Sequence, residues 1–273
     1  MRRWLASAVV LVAVASAPLS AELKITSKMV VRPVAGAAPA GDMMSQMMAP
    51  MMIEMFGGTA GIEMVTVIAE DGRTRVEYKG SFAGMPAGTV MLMKLDGTSV
   101  GYDPKAGTWW KMPDLADLPP EAADLMAQMK PEITMKRTGE METIAGLRAE
   151  RSAITMRMPI PLPPEAAGAP PEILAMIPQE IRMDGDMWIA PTFRKYSKAV
   201  AKALTQGPMA QMGFDKLMEG AEGMVVKQVM RMSLLAGHEM ETVMLAAVEE
   251  AMPATTFELP AGLKEIPMPT GGR

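Results

Sequence analysis

The 273-residue chain has no cysteine, a single histidine and only five phenylalanines. Without cysteine there is no disulfide, no thiolate nucleophile, no Cys/His pair and no lipid-bearing N-terminal Cys, so stability rests on the core alone. A Ser-His-Asp triad would have to use His238, which stands beside Gly237 and reads as an exposed hairpin-turn residue. No Gly-rich phosphate loop and no hydrolytic metal-site spacing occurs. Glu140 with Glu142, and Asp184 with Asp186, each place two carboxylates on one strand face, a pattern usual for solvated charge. A net charge of −4 and a pI near 5.3 leave no electrostatic footprint for nucleic acid. The chain is therefore read as non-enzymatic, with no cofactor.

Long apolar runs are also scarce, and the exception is N-terminal. Met1-Arg2-Arg3 is a positive n-region, Trp4 to Ala17 an apolar h-region, and small residues follow, the plan of a secretory signal peptide. The run falls short of the roughly 20 residues that span a bilayer. Ala15-Ser16-Ala17 satisfies the small-x-small rule but would leave Pro18 first, so cleavage is expected after Ala21. The mature chain, from Glu22, is expected in the periplasm or secreted, without a transmembrane segment and with at most peripheral membrane contact. The expected organisation is a signal peptide over 1–21, one domain over 22–266 and a disordered Pro/Gly tail over 267–273.

What the chain has in excess is methionine, 33 residues. Thioether side chains fill a core as apolar, flexible packing, and they are also soft-metal ligands and oxidisable groups. Met43, Met44, Met47, Met48, Met51, Met52 and Met55 recur at helical spacing in a segment spanning 42–56, with Pro50 expected to kink or split the helix. The pairs Met44/Met47, Met48/Met51 and Met52/Met55 give the i,i+3 geometry that Cu(I) would use, an alternative to simple packing.

Elsewhere the chain reads as strand and turn. Leu23, Ile25, Met29 and Val31 alternate with polar residues, a half-buried first strand. Asp71-Gly72, Asp96-Gly97 and the 103–107 turn imply three successive hairpins between Ile62 and Met112. A short helix is expected from Leu118 to about Met129. Two strands over Lys130–Met158 meet at 143–146. A Pro-rich loop fills 159–178. Asp184-Gly185 reads as a hairpin turn or a bulge inside one strand. Thr192 is expected to cap a helix from Phe193 to Thr205, with a poorer helix over 208–219. Val226, Met230, Met232 and Leu234 are assigned to one face, followed by Met240, Met244, Ala246 and Val248 on another strand, then a terminal strand at 256–262.

Thr138-Gly139-Glu140, Ile144-Ala145-Gly146-Leu147-Arg148, Met187-Trp188-Ile189-Ala190 and Thr256-Phe257-Glu258-Leu259-Pro260-Ala261-Gly262 occur in the order found in exported, uncharacterised bacterial domains. The chain resembles these domains, which are similar to the lipoprotein carriers LolA and LolB and the mycobacterial lipoprotein LppX, collinearly over about Glu22 to Ile266. The resemblance implies an α+β fold: a curved antiparallel half-barrel of about 9–11 strands, its concave apolar face covered by helices over an acyl-chain-sized cavity. The lipid-bearing Cys of the lipoprotein members is missing here, and the 42–56 and 159–178 segments are additions.

Three functions follow as expectations. The first is a non-catalytic protein that binds a lipid or acylated protein. Its ligand would be lined by Met91, Met93, Ile154, Met156, Met183, Met187, Met230 and Met232, with Trp109, Trp110 and Trp188 at the rim. The second is Cu(I) binding or oxidant buffering by methionine. The third is a structural or partner-binding envelope protein using an exposed sheet edge.

Overall fold

Period-two alternation through Leu23, Ile25, Met29 and Val31 makes one side of the first strand apolar, and that strand lies in the interior of the sheet, paired on both sides. The computed structural model describes residues 20–34, 43–113, 128, 131–161, 179–206, 223–235 and 237–269. The elements are β1 (Ser20–Pro33), α1 (Met43–Met55), β2 (Ile62–Ile68), β3 (Thr74–Tyr78), β4 (Val90–Met93), β5 (Ser99–Asp103) and β6 (Thr108–Lys111). There follow β7 (Glu132–Ile144), β8 (Leu147–Pro159), β9 (Glu180–Ala190), α2 (Arg194–Gln206), β10 (Met224–Met232), β11 (His238–Met252) and β12 (Lys264–Glu265). They form one open, curved 12-stranded sheet in the order β12-β6-β5-β4-β3-β2-β1-β11-β10-β9-β8-β7. Every pairing is antiparallel except β12 with β6.

The hairpins form where the turn chemistry places them. Gly72, Gly97 and Gly107 have φ of 103°, 81° and 66°, and the Asp71, Asp96 and Asp103 carboxylates accept the backbone N–H groups two residues on. At the tip of the β7–β8 hairpin Ala145 and Gly146 both have positive φ, 48° and 78°, the two-residue geometry that matches strand twist.

Several elements differ from expectation. Gly185 is neither a hairpin turn nor a bulge: β9 runs unbroken through it, in register with Ile154 on β8 and Met230 on β10. A Cβ there would lie 2.0 Å from the Val229 carbonyl oxygen, so the glycine permits a close approach of two backbones. α1 is a single helix despite Pro50. Pro50, which has no backbone N–H to give to the turn before it, lies within the helix on an exposed position. β11 carries a register shift opposite Thr26 and Ser27, which sends Ala246 and Val248 to the side opposite Met240 and Met244. Leu234 lies in a 3-10 turn, Ser233–Leu235, beyond the end of β10. The expected strand at 256–262 is a 3-10 turn, Ala254–Phe257, followed by irregular chain. Pairing resumes at β12 once Pro260, which has no N–H, and Gly262, with φ 82°, are passed. α2 starts one residue after the expected position, following Phe193, whose φ is 62°. Residues 1–19 of the expected signal peptide (1–21), the 118–129 helix apart from residue 128, nearly all of the Pro-rich loop, the 208–219 helix and the tail beyond 269 lie outside the described residues, and Ser20 and Ala21 open β1.

The largest core cluster gathers Tyr196 of α2 with Leu23, Ile25, Ile68, Met244, Val226, Ala190, Ala149 and Ile144. The amphipathic α2 is held over this end of the sheet by ion pairs from Lys195 to Glu70 (2.6 Å) and Glu249 (3.2 Å), and the Tyr196 hydroxyl donates to the Ala21 carbonyl at 3.1 Å. At the opposite end of β1, the helix α1 packs against the 3-10 turn at 233–235. Past the end of α1, Gly57 closes on Ile62 and Phe56 meets Phe82, which stacks on Tyr78 at 4.6 Å between ring centroids.

Candidate functional site

Residues paired across an antiparallel ladder point to the same side, so register assigns every regular strand residue to a face. Starting from Met29 and stepping through Ile62, Met64, Tyr78, Val76 and Met91, one side of the sheet carries Met91, Met93, Ser99, Gly101 and Trp110 on β4–β6. Stepping the other way from Met29 and Val31 through β11, the same side carries Met230 and Met232 on β10, Met183 and Met187 on β9, and Ile154 and Met156 on β8. The eight aliphatic and methionine residues expected to line a ligand thus share one face. Trp110 joins them. Trp109 and Trp188 project from the other side.

The two halves of this apolar face are packed differently. On β8–β10, Ile154, Met187 and Met230 form a buried cluster joined by Met183, Ile133, Ile189 and Val225. On β2–β5, Met64, Thr66, Val76, Tyr78, Met91, Met93 and Ser99 are all only half-buried. Met91 and Met93 therefore do not touch the β8–β10 cluster and lie across β3, β2, β1 and β11 from it. Burial pushes the Tyr78 phenol above its ordinary range.

The other face changes character along the sheet. Over β4–β6 its buried residues are apolar too: Val90, Leu92, Val100 and Tyr102, with Trp109, are covered by Leu259 and Leu263, while on β2 Val67 packs with Phe257 and on β3 Arg75 and Glu77 form an ion pair. Over β7–β11 it is charged. Glu239 accepts from Arg32 (3.0 Å) and Arg231 (3.1 Å), and Arg151 reaches Asp186 (2.8 Å) and Glu140 (2.6 Å). Lys227 pairs with Glu142 at 3.2 Å, and its ammonium lies 4.4 Å from the Trp188 ring centroid. Trp188 is thus part of a charged surface. On this same face Glu132, Thr134, Thr155, Arg157 and Arg182 surround a polar depression of about 400 Å³.

Each carboxylate of the two candidate pairs has a cationic partner: Glu140 and Asp186 share Arg151, Glu142 has Lys227, and Asp184 has Arg182 at 2.7 Å. This is a lattice of surface ion pairs. His238 is not an exposed turn residue. It is the first residue of β11, half-buried, with Nδ1 3.0 Å from the Leu235 carbonyl oxygen, because the chain reverses through the 3-10 turn before it.

The methionines of α1 divide by helical face. Met47, Met51 and Met55, at i, i+4 and i+8, are exposed, Met47 at 72%, while Met48 and Met52 are half-buried beside Ala49 and Ile53. Each of the pairs Met48/Met51 and Met52/Met55 is therefore split between solvent and protein; of Met44 only the backbone is described. Among the described residues no group of three or more His, Asp or Glu side chains is set to hold a metal, and no helix is long and apolar enough to cross a membrane.

What sequence reading missed is the special position of Trp110. It is 1% exposed, it lies on the apolar face, and its indole N–H has no acceptor. The signal available was Gly101, whose place in mid-strand between Val100 and Tyr102 marks close approach of another group.

No protein-family profile and no curated protein matches the chain. Among solved structures it is similar to a LolA superfamily protein from Nitrosomonas europaea, at 9% identity and a TM-score of 0.31, over 87% of this chain and 90% of that one. It is also similar to a candidate outer membrane lipoprotein-sorting protein domain from Vibrio parahaemolyticus, at 8% identity and a TM-score of 0.31, over 87% of this chain and 89% of that one.

Proposed function

We propose that this is a non-catalytic, exported protein of the periplasm that holds an acyl chain, from a lipid or an acylated protein, against its apolar sheet face, in the manner of a carrier or chaperone. One observation carries the reading: a single, mostly apolar face runs from Met93 on β4 to Met156 on β8, and in its β2–β5 half Met64, Val76, Tyr78, Met91 and Met93 are only half-buried. Apolar area left partly in water is unfavourable at roughly 25 cal/mol per Å², so that half gains stability when a ligand covers it. Methionine suits the task because its unbranched thioether adapts to chains of different shape. The helices α1 and α2, at opposite ends of β1, would form the sides of such a site, with Met91 and Met93 on its floor.

The test is fluorescence of an environment-sensitive fatty acid, 11-(dansylamino)undecanoic acid, titrated with the purified protein. Saturable enhancement that weakens in a Met93→Glu variant supports the reading. No enhancement with folded wild-type protein removes it. A second reading, favoured by the exposed Met47/Met51/Met55 stripe, is soft-metal handling or oxidant buffering at α1.

A further inference from the structure

Trp110 presents a polar atom where the face around it has none to receive it. Its ring lies over Gly101: a Cβ on that residue would come within 2.4 Å of Cε2 and 2.5 Å of Nε1. Gly101 pairs with Trp110 on one side and with Met91 on the other, so the pyrrole edge of the indole is set on the apolar face beside Met91. The indole is a donor only. The backbone acceptors of β4, β5 and β6 are committed to the sheet ladders, and Nε1, buried, has no hydrogen-bond partner. Neither the hydroxyl of Ser99 nor the sulfurs of Met91 and Met93, all on the same face, accept from it.

Buried donors without acceptors are uncommon because they forfeit the hydrogen bond that water supplied in the unfolded chain. Replacing Trp110 by an apolar ring would relieve that cost with little loss of packing, so the N–H is unfavourable to the fold in isolation. It becomes favourable when a ligand brings an acceptor. The neighbouring methionines, half-buried and free to change rotamer, are the side chains that would move to admit one.

We infer that the Trp110 indole N–H is the polar anchor of the apolar face, donating to an acceptor oxygen at the head of an acyl chain, either an ester carbonyl or a carboxylate, while the chain lies along Met91 and Met93. The inference rests on the reading of this face as an acyl-chain site and adds what that site selects: an oxygen-bearing acyl group in preference to plain hydrocarbon. The arrangement needs no charged residue.

The experiment measures dodecanoic acid, methyl dodecanoate and dodecane as competitors of the dansyl probe, on the wild type and on Trp110→Phe, which keeps an aromatic ring and deletes the donor. The wild type is expected to prefer the acid or the ester over the alkane by about tenfold, the worth of one hydrogen bond. Trp110→Phe is expected to lose that preference, so that acid, ester and alkane compete about equally. An ester preference identifies a glycerolipid or acylated protein as the source, and an acid preference a free fatty acid. Equal loss for all three competitors, or no loss for any, overturns the anchor and leaves the acyl-chain reading standing; absence of binding by all three overturns both. Should Trp110→Phe not fold, the indole proton of Trp110 in ¹⁵N-labelled wild type decides. It moves downfield and exchanges more slowly with methyl dodecanoate than with dodecane if the inference holds, and responds equally to both if it does not.

Discussion

Gly101 on β5 and Trp110 on β6 are cross-strand partners, and the indole occupies the space that a side chain at 101 would need. The pair ties a backbone choice on β5 to a side chain on the apolar face. Gly101→Ala must push the buried ring away, and overpacking of this kind costs about 1–3 kcal/mol. Urea denaturation is expected to show that loss with an unchanged slope; wild-type stability would mean that Trp110 is not seated on Gly101.

Gly185 makes the harsher case. Its missing Cβ faces the Val229 carbonyl oxygen, part of a backbone paired on both sides, whereas the indole at Gly101 is a side chain that can tilt. Gly185→Ala is expected to destabilise more than Gly101→Ala and to raise amide exchange on β9 and β10. Equal effects, or exchange unchanged at Val229 and Met230, would contradict the close approach of these strands.

Glu77 supplies a pH dependence. Burial alone would raise its carboxyl pKa, but hydrogen bonds from Lys79 and Arg75 outweigh burial and hold it below the ordinary carboxylate value of 4.5. A carboxyl depressed in the folded state contributes stability that is complete above the unfolded pKa and is lost as pH falls through the folded one. The contribution is therefore whole at neutral pH and declines below about pH 4.5, and Glu77→Gln is expected to flatten that part of the stability curve. A curve of unchanged shape would show that Glu77 is not held ionised by its neighbours.

Methionine oxidation reports which sulfurs meet water. With limiting peroxide, Met47 and Met51, 72% and 56% exposed, are expected to become sulfoxides well before Met156, Met187 and Met230, which are nearly fully buried. Peptide mapping checks the order. Early oxidation of Met187 or Met230 would show the β8–β10 half of the apolar face to be open. Retained copper-free folding and unchanged Cu(I) affinity in a Met47→Leu/Met51→Leu/Met55→Leu variant would remove the exposed stripe as a metal site.

Much of the local structure was legible in the chain. Asp71-Gly72, Asp96-Gly97 and Ala145-Gly146 mark their turns because they satisfy φ and hydrogen-bond requirements within a few residues, and the strands between them follow. Strand order was not legible: β1 lies between β2 and β11, and the partner of a strand more than 200 residues away leaves no local trace. Gly185 was read as punctuation because its role is set by the backbone of β10. The two tryptophans 109 and 110 alternate by necessity, but β4 is apolar on both faces, Val90 and Leu92 on one and Met91 and Met93 on the other. Nothing local says that Leu259 and Leu263 cover the first pair and leave the methionines half-buried.

The central claim, that the apolar face holds an acyl chain, is tested most directly by native mass spectrometry of the protein purified from its own cells without detergent, followed by solvent extraction. The expected result is a bound species of lipid mass that is released by extraction and returns when an acyl lipid is added back. Protein that emerges ligand-free, and takes up none of the added lipid while remaining folded, would contradict the claim.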